Sequence, residues 1–373
     1  MQNNTLGLIF SENPEANLGI LTNKRALAAV PVGGRYRIID FILSNMINSG
    51  IINIGMPTAA RTQSLTDHLG TGRDWDLDRK GNGLFLIPLY DSDSTSIGGV
   101  GNIFNSFGFL KRAKQEYVVV SDCNTVCNIT YDEVMAFHQE NNADITLIYT
   151  DAPELSDSDL KRNILIDVSD DGRVTDMQIY PTIQKSNHSY MHTFLIKKEL
   201  LMELVGDCTA HGKTSIYKDI LLENLPRLNV LGYKFTGYRK KIDSIGAYFQ
   251  FNLDLLKKDV RDELFGTIDN NKIFTKVKDM VPTRYGRNAQ VQNSFIADGC
   301  TIEGTVKNSI IFRGVTIAEG ATVENAIIMQ NSQILENCLV ENAIFDKEVV
   351  LGKGKKLVGQ ETYPALVGKR VII

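Results

Sequence analysis

The sequence predicts an α/β domain built on a mostly parallel sheet, followed by a left-handed parallel β-helix. From Leu6 to about Leu256, short apolar runs alternate with helical spacings. That alternation is expected of a sheet whose strands are joined by crossover helices. Further on, apolar residues recur at spacings of six, six and five. The sets are Ile311, Ile317 and Val323, then Ile328, Ile334 and Val340, then Phe345, Leu351 and Leu357, so each set advances by 17 residues. A helix of about 3.6 residues per turn cannot keep those positions on one face. A triangular coil with one inward side chain per side can.

Element by element, Gly7–Phe10 reads as a buried first strand, and Ile38, Ile39, Ile42, Leu43 and Met46 as a helix stopped near Asn48 and Gly50. Strands are predicted at Ile51–Met56, Tyr117–Val120, Ile145–Tyr149, Ile164–Val168 and Phe194–Ile196. Helices are predicted around Ile103–Ala113, Asp132–Glu140 and Ile216–Leu225. The charged, irregular stretch Asp254–Pro282 reads as a connector. In the coil region Cys300 and Val306 extend the series backwards, and Gly299, Gly304, Gly314, Gly320, Gly352 and Gly354 punctuate corners, giving about four coils. The expected domains are 1–256, a connector at 257–285, and 286–373.

The chain has 373 residues, 43% hydrophobic and 23% charged, room enough for two domains. A net charge of −4 argues against nucleic acid as a partner. No apolar run reaches membrane-spanning length, and Met1-Gln2-Asn3-Asn4 is not a signal peptide. The five scattered cysteines suit reduced thiols in a cytoplasmic protein. Cys123 and Cys127 lack a second doublet, so zinc is not expected.

The opening stretch, with Thr22-Asn23-Lys24-Arg25-Ala26 and then VPVGGRYRIIDF, resembles the glucose-1-phosphate adenylyltransferase (ADP-glucose pyrophosphorylase) family, as do LSNMINSGI and the tail GAYFQFNLDLL. The resemblance covers essentially the whole chain. It implies a Rossmann-like (GT-A-type) nucleotidyltransferase domain ahead of the β-helix. In that family a glycine-rich loop AGGxGxRL follows the first strand. Here the loop is Ser11-Glu12-Asn13-Pro14-Glu15-Ala16-Asn17-Leu18, without a glycine. Glycines let backbone amides approach a triphosphate closely. Two glutamates add negative charge instead, and a proline removes an amide donor. The family's loop arginine is Asn17, and its next lysine is Leu27.

The family implies two metal-binding aspartates that hold Mg²⁺ between the nucleotide and the sugar phosphate. Asp122 keeps the first position, at the end of Tyr117-Val118-Val119-Val120-Ser121. The second becomes Lys241, a cation that would repel Mg²⁺, with Asp243 two residues on. The family's GTADAV aligns with Gly98-Gly99-Val100-Gly101-Asn102-Ile103, placing Gly101 where an aspartate stood. A base-recognition glutamine becomes Ala59, and FVEKP becomes Met177-Gln178-Ile179-Tyr180-Pro181. Asn17, Leu27, Gly101 and Lys241 are therefore degenerate catalytic positions.

The resemblance also implies bases that bind a sugar-phosphate activator. They fall on Lys24, Arg25, Arg37 and Lys347, a candidate cluster for a doubly charged anion; Arg37 alternatively pairs with Asp40. His188 and His192, four apart, do not lie in a helical pattern, so no metal pair is read there. No histidine follows His211, which counts against a β-helix acyltransferase.

The losses resemble those of the GlgD-type subunit of the bacterial enzyme. They imply a regulatory subunit that modulates ADP-glucose formation for glycogen synthesis. Its partners would be a catalytic GlgC-type subunit, in a heterotetramer, or itself, in a homodimer or tetramer. No cofactor is expected on this chain alone; Mg²⁺ and ATP belong to the alternative, an active sugar-phosphate adenylyltransferase with a divergent nucleotide loop.

Overall fold

The computed structural model describes residues 4–58, 61–89, 99–152, 154–266 and 271–373. Ala59 and Gly98 lie outside them. The chain forms two compact units. One comprises Met1–Glu15 and Phe41–Arg239, the other Ala16–Asp40 and Lys240–Ile373.

The first unit holds a nine-stranded sheet. Its strands are β1 (Thr5–Phe10), β2 (Asn53–Thr58), β3 (Gly83–Pro88), β4 (Tyr117–Asp122), β5 (Ile145–Asp151), β6 (Ile164–Val168), β7 (Val174–Ile179), β8 (His188–Lys197) and β9 (Val230–Lys234). β1 runs parallel between β2 and β4, and β3 continues parallel beyond β2. The expectation of a mostly parallel sheet needs correction here. β8 runs antiparallel to β4, β5 and β6, and β7 antiparallel to β6, so the sheet is mixed. Nothing in an apolar run of three residues around Phe194–Ile196 encodes strand direction. The core between the sheet and its helices is built from β-branched and aromatic residues such as Val118, Val120, Ile145, Phe194 and Ile196.

Helix Ile38–Asn48 follows its apolar spacing, and Gly50, at φ 70°, ends it, with the Ile51 amide bonded to the Met46 carbonyl. The expected helix Ile103–Ala113 is two short helices, Val100–Asn105 and Phe107–Arg112. Ser106 separates them by turning its hydroxyl back to the Asn102 carbonyl. The expected helix Ile216–Leu225 begins as a π-helical stretch, Ile216–Leu221, and tightens to a 3₁₀ turn, Leu222–Asn224. The stretch read as a connector contains a helix, Lys258–Leu264, whose buried Val260 and Leu264 are too few to announce it.

In the second unit the coils stack as parallel strands, and the 17-residue periodicity is seen directly. Ile311 pairs with Ile328 and Ile328 with Phe345; Ile317, Ile334 and Leu351 form a second line, and Val323, Val340 and Leu357 a third. Val306 extends the third line as expected, but Ile302, not Cys300, extends the second. Pairings that span the corner between Ile302 and Val306 repeat after 15 residues because that corner is two residues shorter, whereas Arg284 and Thr301, before it, are again 17 apart. Gly304 permits that corner: a Cβ there would sit 2.3 Å from the Ala321 carbonyl oxygen. Another corner is turned by Asn293, Asn308, Asn325 and Asn342, all at φ between 42° and 47°. Asparagine tolerates that left-handed conformation better than other side chains.

Candidate functional site

In the first unit, β1 and β4 end side by side, Phe10 opposite Asp122, and the loop after β1 folds over that end. Asp122 Oδ2 accepts hydrogen bonds from Asn13 Nδ2 at 2.8 Å and Tyr217 Oη at 3.0 Å. His192 Nδ1 lies 3.5 Å from the same oxygen and 2.8 Å from Tyr217 Oη. Two backbone irregularities deliver these groups. Tyr217 sits in the π-helical stretch, and His192, at φ 54°, sits where β8 shifts register between Tyr190 and Phe194.

The loop itself is tied down by protein groups. Asn13 Oδ1 accepts the Glu15 amide, Ser11 donates to the Pro57 carbonyl, and Tyr180, also left-handed at φ 53°, donates its hydroxyl to Glu15. Glu12 is buried, with Arg61 3.8 Å away. The field here is negative. Burial, then Asp122 and Glu12, push the Cys123 thiol pKa well up; burial, Asp122, Tyr190 and Glu15 do the same to Tyr217. Gly101 lies in the helix Val100–Asn105, and Met177 is buried on β7.

In the second unit, the loop's continuation is anchored by Asn17, whose amide donates to the Asp243 carbonyl at 2.8 Å. Leu27 is fully buried, so the residue in a lysine's place has become core. Lys241 Nζ and Asp243 Oδ2 stand 3.7 Å apart, both side chains largely buried.

The same unit gathers a basic cluster. Arg25 is 3% exposed and its Nη2 reaches both oxygens of Asp346 at 2.9 Å. The Lys347 amide caps the same carboxylate at 2.7 Å. Arg37 donates its amide to Asp40 and its Nη1 to the Ala29 carbonyl. Lys347 is the centre. Burial first, then Arg37 and Arg25, bring its ammonium down to about 7, with Asp346 opposing and Lys369 adding to the push. A buried ammonium among guanidiniums is a site that lacks negative charge. Lys24 is exposed and is not among the groups acting on Lys347.

Sequence reasoning missed three contributors. Lys369 comes from the last coil, and Tyr217 and His192 reach Asp122 from far along the chain. The only signal for Lys369 is its place one coil beyond Lys347. Glu348, between these bases and paired with Lys369 and Arg370, holds a left-handed φ of 60° that glycine or asparagine fills on neighbouring coils.

A mixed-sheet α/β unit and a parallel β-helix together define a nucleotidyltransferase-type protein with a hexapeptide-repeat extension. Residues 17–256 match the family model described as nucleotidyl transferase, and residues 278–363 match that of the GlmU-like, C-terminal hexapeptide. The chain is 35% identical over 372 residues to the glycogen biosynthesis protein GlgD of Bacillus subtilis, covering 99% of this chain and 97% of that protein. It is 36% identical over 324 residues to GlgD of Geobacillus stearothermophilus, with 86% and 83% covered. With a glucose-1-phosphate adenylyltransferase of Clostridium botulinum it shares 33% over 321 residues, with 84% and 82% covered. The chain belongs to the glucose-1-phosphate adenylyltransferase family.

Proposed function

We propose that this chain is a regulatory subunit of a glucose-1-phosphate adenylyltransferase in glycogen synthesis, with little or no adenylyl transfer of its own. The observation that carries the reading is the state of Asp122. Its Oδ2 accepts from Asn13 and Tyr217 and faces His192, where a metal-binding carboxylate would offer its lone pairs to Mg²⁺. Among the described residues no group of three or more His, Cys, Asp or Glu is placed to hold a metal ion. Glu12 and Glu15 stand where a triphosphate needs backbone donors and cations, and like charges at that range repel by several kcal/mol in a partly buried site, on the order of 4 at 4 Å. The residues present do not fit Mg²⁺ and a nucleotide triphosphate.

Regulation then falls to the second unit. Arg25, Arg37 and Lys369 all act on the buried Lys347 ammonium, with Asp346 engaged by Arg25, Asp40 by the Arg37 amide and Glu348 by Lys369. A sugar phosphate would supply the missing negative charge and shift the chain between two states of its interface with a catalytic GlgC-type partner. The names of the two GlgD relatives support a role in glycogen biosynthesis, and no helix among the described residues is long and apolar enough to cross a membrane.

The test mixes the purified chain with a catalytic homologue and follows complex formation, maximal rate and response to a sugar phosphate. A complex whose maximal rate or activator response moves several-fold is expected. No complex and unchanged kinetics would contradict the proposal.

A further inference from the structure

We propose that Glu348 is a positioning residue. By holding the segment 368–373 against the coil before it, Glu348 sets Lys369 at the basic cluster, so that docking of this segment and anion binding at Lys347 reinforce each other. This coupling rests on the reading of the Lys347 cluster as an anion site.

The coil register brings the parts together. Ile296, Ile311, Ile328, Phe345 and Val367 pair in one line. Two residues further on, Lys369 follows Lys347 on the adjoining coil. Three residues further on, the line reads Gly299, Gly314, Asn331, Glu348 and Arg370. All five hold a left-handed φ, between 59° and 75°. Glycine and asparagine accommodate that conformation, whereas glutamate and arginine hold it under strain. What the last two supply instead is charge. Arg370 Nε donates to Glu348 Oε2 at 2.6 Å, and Lys369 Nζ lies 3.7 Å from Glu348 Oε1. The bond from Arg370, first, and then Lys369 hold the Glu348 carboxyl below its ordinary range.

Two interactions therefore oppose each other across one coil step, about 4.8 Å at the spacing of paired strands. Lys369 against Lys347 pushes the segment away, while Glu348 draws in both Lys369 and Arg370. Little else holds it. The Arg370 amide donates to the Lys347 carbonyl at 3.0 Å and the Ile373 amide to that of Val350 at 3.0 Å. In return the Val350 amide donates to the Val371 carbonyl at 3.0 Å and the Gly352 amide to that of Ile373 at 2.8 Å. Apolar anchoring is slight, since Ile372 is 79% exposed and Val371 and Ile373 are exposed too. A segment tied by a few backbone bonds with little buried apolar surface opens locally at low cost. An anion at Lys347 and Lys369 cancels the repulsion between them, and only the docked segment presents Lys369 to it. Binding and docking are then linked reciprocally.

The experiment is hydrogen–deuterium exchange of the full chain, read at the amides of Val350, Gly352, Arg370 and Ile373, with and without glucose 6-phosphate at matched ionic strength. Calorimetric titration with the same sugar phosphate runs beside it. Glucose 6-phosphate should slow exchange at these amides several-fold. Lys347→Met should do so without ligand, since it removes the repulsion. Glu348→Gln should speed exchange about tenfold and weaken glucose 6-phosphate several-fold, although its side chain does not meet the ligand. Glu348→Gly relieves the backbone strain but lacks the carboxylate, so it should speed exchange as well; a merely structural corner would exchange more slowly. Glu348→Arg combined with Arg370→Glu should restore protection. Glucose 6-phosphate that binds yet leaves these amides unmoved, or affinity that is unaffected by Glu348→Gln, would overturn the coupling and leave the anion site standing. No binding by the parent chain would overturn both.

Discussion

Arg25 and Asp346, 321 residues apart in sequence, meet through both carboxylate oxygens at 2.9 Å with almost no exposure of either side chain. A buried pair of this kind contributes little over an apolar replacement, but breaking it leaves one charge desolvated and alone. Asp346→Ala should therefore destabilise the protein by about 3–5 kcal/mol in urea titration. Replacing both residues with apolar ones of similar volume should recover most of that loss. It should also abolish anion binding at Lys347, since the guanidinium goes with the carboxylate.

Lys347 makes stability depend on pH in a defined window. Its folded-state pKa of about 7 lies below the ordinary lysine value of about 10.4, so between these limits the unfolded chain binds the extra proton. Its destabilising effect is fully present at pH 7 and below and fades as pH rises toward 10. Lys347→Met should stabilise the chain by a few kcal/mol near pH 6.5, and variant and parent should converge near pH 10. Denaturant midpoints across that range check it.

Anion binding at the same cluster carries the opposite face of this linkage. A bound phosphate raises the Lys347 pKa, so binding takes up a proton when the free ammonium is partly deprotonated. Affinity for a sugar phosphate should fall several-fold as pH rises from 6.5 to 8.5. Calorimetry in two buffers of different ionisation enthalpy, at pH 7.5, should report net proton uptake, and Lys347→Met should remove it.

The short corner at Gly304 yields a stability prediction confined to the β-helix. A methyl group there would meet the Ala321 carbonyl at 2.3 Å and the Ala318 carbonyl at 2.8 Å, both backbone atoms that cannot step aside without moving the coil. Gly304→Ala should cost at least about 2 kcal/mol, the scale of overpacking a well-packed core. Gly354→Ala meets nothing within 4 Å and should cost less, chiefly through its left-handed φ of 72°. Thermal unfolding of the two variants distinguishes them.

The β-helix was legible in the sequence because one inward residue per side leaves a period that survives without context. Its one 15-residue turn was not, because shortening a corner moves Cys300 out of line and Ile302 into it while both remain apolar. Ile38, Ile42 and Met46 announced a helix, whereas Val260 and Leu264 were too sparse to do so. At the site, the family resemblance singled out Asp122, Lys24, Arg25, Arg37 and Lys347, of which Lys24 does not act on Lys347. It said nothing of Tyr217 and His192, whose approach to Asp122 depends on a π-helical stretch and a strand irregularity that no local periodicity encodes.

The most direct measurement of the central claim is the initial rate of ADP-glucose formation by the purified chain alone, with saturating ATP, glucose 1-phosphate and Mg²⁺. With Asp122 engaged by Asn13 and Tyr217 and glutamates lining the loop, the rate should lie at least a thousandfold below that of a catalytic homologue assayed alongside, about 4 kcal/mol in barrier height. A rate within tenfold of the homologue would contradict the account.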